Sequence, residues 1–182
     1  MNFTQAIAFT STRLSLKTFV PQDAREVFAA ATTTLARYMR WDPAPSFDAF
    51  AKICQDWLPM MVEGTNVYFV VRLKTSQEFL GMTGLHNISA SEPETGIWIK
   101  EEKHRNGYGR EAVAAVISFA CSALGKSAVV YPVVEENGPS RRLAQSLGGK
   151  IIAKRLFRKD GGIEYPEAVY RIPSADLQKR NL

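Results

Sequence analysis

The sequence predicts an α+β sandwich built on a central mixed sheet, and three observations lead there. Seven β-like runs alternate with helical stretches in the order β α α β β β α β α β β. The segment Arg110–Leu124 sets Ala112, Val113, Val116, Ile117, Ala120 and Leu124 on one face at a 3.6-residue period. The last two runs, 150–159 and 163–172, flank Asp160-Gly161-Gly162, a hairpin signature.

The elements follow in order. Arg13–Phe19 alternates polar and apolar residues, as a half-buried strand does. Pro21 opens a helical stretch through Ala24, Val27, Phe28 and Ala31, with Asp23 and Glu26 at its positive end. Ser46 reads as the N-cap of a second helix, where Phe47, Phe50, Cys54, Trp57 and Met61 recur at helical spacing. Gly64 ends it, and Pro59 is expected to kink or shorten it. Strands are expected at Val67–Leu73, Phe79–Leu85 and Glu94–Ile99. Gly125 closes the long helix, and Ala128–Val134 reads as a buried strand in which Pro132 implies an irregularity or bulge. A short helix follows Asn137.

With 182 residues, one domain over 1–182, core about 11–172, is the natural expectation. A hydrophobic content of 46% and a charged content of 23% exclude wholesale disorder. Cys54 and Cys121 stand alone, with no CxxC and no spaced histidines, so no metal site is expected and both read as core residues in a reducing compartment. The first residues lack the pattern of a signal peptide, and the apolar stretch Ala112–Leu124 is too short to span a bilayer, so a cytoplasmic protein without a membrane partner is expected. The net charge of +5 is uneven, −1 over residues 1–99 and +6 over 100–182, which suggests an anionic ligand held mainly by the second half. No helix-turn-helix, zinc or aromatic-ladder signature supports a nucleic-acid partner.

The most informative segment is His104-Arg105-Asn106-Gly107-Tyr108-Gly109-Arg110, between a strand and a helix. Two glycines at a helix start leave backbone N–H groups open to an anion. Ala112 completes a GxGxxG/A spelling from Gly107, yet no acidic residue lies between Glu111 and Glu135 to bind a ribose, so a dinucleotide fold is disfavoured. The Walker spelling GxxxxGK[ST] is absent.

Three motifs in series, Glu94–Ile99, His104–Gly109 and Asn137-Gly138-Pro139-Ser140 with Leu143 and Leu147-Gly148, resemble the GNAT N-acetyltransferase superfamily, above all its ribosomal-protein-alanine/serine (RimJ/RimL-like) branch. The resemblance spans roughly residues 11–172. It implies a mostly antiparallel sheet of about seven strands flanked by helices, and acetyl transfer from acetyl-CoA, as co-substrate, to a primary amine in a ternary complex. The amine could belong to a protein N-terminus or a small molecule, and the chain could pair as a homodimer. By the same resemblance, His104, Arg105, Asn106, Gly107, Tyr108, Gly109 and Arg110 would hold the pyrophosphate, with His104 standing where the family has Gln or Arg. Main-chain groups of Ile97, Trp98 and Ile99 would meet the pantetheine amides and acetyl carbonyl, an N–H near Ile97 or Trp98 being the oxyanion donor. Asn137 would cap the helix that carries Ser140.

Many relatives protonate the leaving thiolate with a tyrosine at the position of Ala144, so the resemblance passes that task to Ser140, with Tyr108 and Tyr131 as fallback donors. Glu94 would be the general base, directly or through water, and His86 a second candidate. The family's other acidic position falls on Phe157–Lys159, which offers no carboxylate. Trp41 would stand beside the acceptor. Arg141, Arg142, Lys150, Lys154, Arg155, Arg158 and Lys159 would form a solvated face or meet the 3′-phosphate end of CoA. The changes at His104 and Ala144 also leave open a second reading, a catalytically weak CoA-binding regulatory or interaction protein on this scaffold.

Overall fold

The structure, a computed structural model, describes residues 2–159 and 162–174. Its elements are β1 (Ala8–Thr10), β2 (Leu14–Thr18), α1 (Ala24–Ala30), α2 (Thr33–Ala36), α3 (Phe47–Glu63), β3 (Val67–Leu73), β4 (Phe79–His86), β5 (Glu94–Ile99), α4 (Tyr108–Leu124), β6 (Ala128–Val134), α5 (Gly138–Ser146), β7 (Lys150–Arg158) and β8 (Glu164–Pro173). Single 3₁₀ turns precede α1 and α4. One sheet of eight strands runs β1-β2-β3-β4-β5-β6-β8-β7, antiparallel at every junction except the parallel β5–β6 pair. The expected mixed, mostly antiparallel sheet is present, and β1 is its extra strand. At three residues β1 is too short to display an alternation, and it is recruited by pairing Ala8 through Thr10 with Lys17 through Ser15.

Two apolar clusters sandwich this sheet. On one face α4 buries Ala112, Val113, Val116, Ile117 and Ala120 against Leu16, Phe69, Leu85, Val129 and Tyr131. On the other, α1 and α3 bring Val27, Phe50 and Cys54 onto Phe19, Val70, Phe79 and Met82. The side chain of Ser46 accepts the Ala49 N–H at 3.2 Å, and Gly64 (φ 76°) closes α3 in the left-handed conformation. Of the two effects expected of Pro59, shortening does not occur, and the helix continues to Glu63. Pro59 deprives the carbonyl of Gln55 of its donor, but both residues are exposed and water can take the bond. The hairpin β7–β8 forms as expected, although Asp160 and Gly161 of its turn lie outside the described residues. No described helix is long and apolar enough to cross a membrane.

Candidate active site

The parallel strands β5 and β6 share one register pair, Glu94 with Val130, where the Val130 N–H donates to the Pro93 carbonyl at 2.9 Å. The next rung would need an N–H at position 132, and Pro132 has none. This is the irregularity the proline announced, but on the side opposite to a bulge: the register of β6 with β8 runs unbroken from Ala128 to Val134. Beyond that rung the strands part around a cavity of about 380 Å³, walled by Thr95–Trp98 on one side and Tyr131–Val134 on the other. The Lys100 N–H donates to Leu80 on β4 at 2.8 Å, so even-numbered residues of β5 pair with β4. By strand alternation Ile97 and Ile99 aim their main-chain groups at the opening instead, and Trp98 does not.

The opening passes through the sheet. Ile97, Ile99 and Tyr131 belong to the core beneath α4, whereas Met82 and Trp98 belong to the core beneath α1 and α3. Glu94 stands on the α1/α3 face beside its register partner His86. Trp41 lines the same chamber, its ring 6.3 Å from that of Trp98. Burial, and then the charge of Arg40, hold His86 below the usual histidine pKa, so its imidazole is neutral at neutral pH.

On the α4 side, the Asn137 carboxamide oxygen accepts the Ser140 N–H at 3.2 Å, which caps α5 and fixes Ser140 at the cavity wall. The Ser140 Oγ lies 2.8 Å from the Tyr131 hydroxyl. Burial pushes the Tyr131 phenol up to about 12, against a smaller opposing effect of the Ser140 bond, so it stays protonated at any ordinary pH. Of the two fallback donors, Tyr131 lines the cavity and Tyr108 does not; Tyr108 packs under the Arg13 guanidinium at 4.7 Å.

The loop before α4 is braced by its own side chains. His104 Nε2–H donates to the Ile99 carbonyl at 2.7 Å, so that carbonyl is occupied internally. His104 thus braces the strand end where the family's Gln or Arg was expected to face the ligand. The Asn106 amide donates to the carbonyls of Lys103 (3.1 Å) and His104 (3.0 Å). Arg105 (φ 64°) and Gly107 (φ 77°) are left-handed, which folds the loop into a concavity at the positive end of α4. Gly109 serves packing, since a Cβ there would come within 3.3 Å of Leu143 on α5. Arg110 sits half-buried in the first turn. Glu111 ties the chain start to α4, accepting from Ser11 Oγ, Arg13 N and Arg13 Nε, each at 2.7 Å. Burial raises the Glu111 pKa, but these bonds prevail and leave it below the ordinary glutamate range.

One carboxylate escaped sequence reasoning. Glu167 on β8 is 4% exposed and accepts from Arg155 Nε at 2.6 Å and Arg40 Nη2 at 3.1 Å. The same two guanidiniums stand 3.6 Å and 3.9 Å from Glu94. The signal was an acid leading directly into the apolar run Ala168-Val169-Tyr170 of a buried strand. Most of the cationic run is likewise paired within the chain. Lys154 pairs with Glu135 (2.7 Å) and Arg158 with Glu164 (2.6 Å), while buried Lys159 donates to Ala36 O (2.9 Å) and meets Asp42 (2.6 Å). Arg141 is held by the Tyr170 hydroxyl and the Glu135 carbonyl, each at 3.3 Å. Four of these cations therefore offset carboxylates of the chain itself, and the +6 half does not map simply onto an anion site.

Residues 13–150 match the family model described as "Acetyltransferase (GNAT) domain". The chain belongs to the GNAT acetyltransferase family. A GNAT acetyltransferase of this kind depends on acetyl-CoA; of the three motifs, Glu94–Trp98, Asn137 and Ser140 line the through-sheet opening, and no residue of His104–Gly109 does. The sequence is 27% identical over 164 residues to the uncharacterized N-acetyltransferase YoaA of Bacillus subtilis, covering 88% of this chain and 93% of that protein. In fold it is similar to a proposed ribosomal-protein-serine acetyltransferase from Vibrio cholerae, at 22% identity and TM-score 0.80, covering 95% of this chain and 99% of that one. It is also similar to a Vibrio cholerae spermidine N-acetyltransferase in complex with CoA and spermine, at 17% identity and TM-score 0.78, covering 92% of this chain and 99% of that one.

Proposed function

We propose that this GNAT protein transfers the acetyl group of acetyl-CoA directly to a primary amine, the two substrates meeting inside the β5–β6 opening. The observation that carries the reading is that this opening joins the two faces of the sheet, with Glu94 on one side and the Ser140–Tyr131 pair on the other. Acetyl-CoA enters from the α4 side, its pyrophosphate on the loop at His104–Gly109, and the amine enters from the α1/α3 side. The amine nitrogen attacks the carbonyl carbon, and the oxyanion is met by the Ile97 N–H, the donor that strand alternation favours over Trp98. Glu94 takes the amine proton, directly or through one water. As the carbon–sulfur bond breaks, the Ser140 hydroxyl, accepting from Tyr131, donates a hydrogen bond to the departing thiolate, which takes its final proton from solvent. Positioning supplies much of the rate, because no covalent intermediate with the protein is formed.

The test is thiol release from acetyl-CoA across a panel of primary amines, with both substrates varied. Intersecting double-reciprocal lines are expected, and parallel lines would rule out direct transfer. Glu94→Gln and Ser140→Ala are expected to lower kcat strongly with the KM for acetyl-CoA little changed. Wild-type turnover in both would sink these assignments.

A further inference from the structure

We infer that the acceptor is a monoamine whose nitrogen is carried on a bulky apolar or aromatic body, and not a polyamine. This deepens the acetyl-transfer reading and rests on it. Two features of the chamber on the α1/α3 face carry the inference, its charge and its walls.

Three carboxylates line the chamber among the described residues: Asp42, Glu94 and Glu167. Asp42 is held by Lys159 at 2.6 Å, and Glu167 by Arg155 at 2.6 Å and Arg40 at 3.1 Å. Glu94 holds its nearest cations, Arg155 and Arg40, most loosely of the three, at 3.6 Å and 3.9 Å, so it is the lining carboxylate best placed to receive an incoming ammonium. A second ammonium on the same substrate would find only carboxylates already paired to Lys159, Arg155 and Arg40, and would face the Arg40 guanidinium as well.

The walls are apolar. Trp41 and Trp98 meet at 68° to form a corner, and Trp57, stacked on Tyr68 at 4.5 Å, closes the far side with Ile53. The floor between them is bare: Gly84 and Gly96 are register partners, and a Cβ on Gly96 would touch nothing within 4 Å. A flat or branched apolar group can lie over that floor with its amine at Glu94. Such a group gains transfer free energy from the chamber that a hydrated polyamine tail cannot.

The experiment compares kcat/KM for ethylamine, phenethylamine, spermidine and two short peptide amides, one beginning with Phe and one with Lys, on the full chain. Phenethylamine or the Phe peptide is expected to exceed ethylamine and spermidine by about 10- to 100-fold. Preference for the Phe peptide would assign the amine to a chain terminus, and preference for phenethylamine to a small molecule; either supports the inference. Ile53→Glu, at a position 42% exposed that tolerates a charge, is expected to shrink the ratio of phenethylamine to spermidine about tenfold. Spermidine turned over as well as phenethylamine overturns the inference alone. Absence of thiol release with every amine overturns acetyl transfer itself, and the inference with it.

Discussion

The hydroxyls of Tyr131 and Ser140 lie 2.8 Å apart, one rising from the strand that walls the opening and the other from the helix that follows it. Because Tyr131 is buried and its phenol pushed up to about 12, it stays protonated and able to donate to Ser140, the arrangement in which the Ser140 proton is free for the thiolate of the proposed reaction. Ser140→Ala is expected to lower kcat about 100-fold, and Tyr131→Phe about 10-fold, with the KM for acetyl-CoA within about twofold. The Tyr131 phenol is expected to put no alkaline limb into the pH–rate profile through pH 9–10, since it does not ionise there. A limb that moves in Tyr131→Phe would contradict this.

Glu94 faces the chamber between two guanidiniums and beside neutral His86. Glu94→Gln is expected to lower kcat about 100-fold or more. His86→Phe is expected to cost far less, which steady-state thiol release would read directly.

His86 also marks stability. Its folded pKa is lowered by burial and by Arg40, so the unfolded chain binds its proton more readily. Stability from this site is full above the unfolded value of about 6.5 and falls as the pH drops below it. His86→Phe is therefore expected to flatten the decline of Tm between pH 7 and pH 5.

The opposite kind of group sits at Glu111. Its folded pKa is depressed by bonds from Ser11 and Arg13, so its contribution is present above the ordinary glutamate range and is lost as the pH falls through the lower folded value. Glu111→Gln is expected to cost about 1 kcal/mol at pH 7 by urea unfolding, Arg13 being half-exposed and screened, and less at pH 3.

Local chemistry was legible in the sequence. The Asn137 cap and the amphipathic α4 are each decided within a few residues, and the structure has them where expected. The Glu94–Arg40–Arg155–Glu167 group was not legible. It is assembled across a loop and three strands, with Arg40 and Glu167 separated by 127 positions. Periodicity has no access to such a pairing, and Glu167 stands on β8, one strand beyond the Phe157–Lys159 position to which the resemblance points. Pro59 and Pro132 were readable as prolines but not in their consequences, because those depend on whether the missing N–H faced water or a neighbouring strand.

Pro132 reaches furthest. With one rung between β5 and β6, the eight strands form two plates, β1–β5 and β6–β8, and α4 lies across both. Any molecule lodged in the gap becomes a structural insert that completes a discontinuous sheet. Amide exchange in β5 and β6 should then slow together on loading, so one missing hydrogen atom couples occupancy to the rigidity of the whole scaffold.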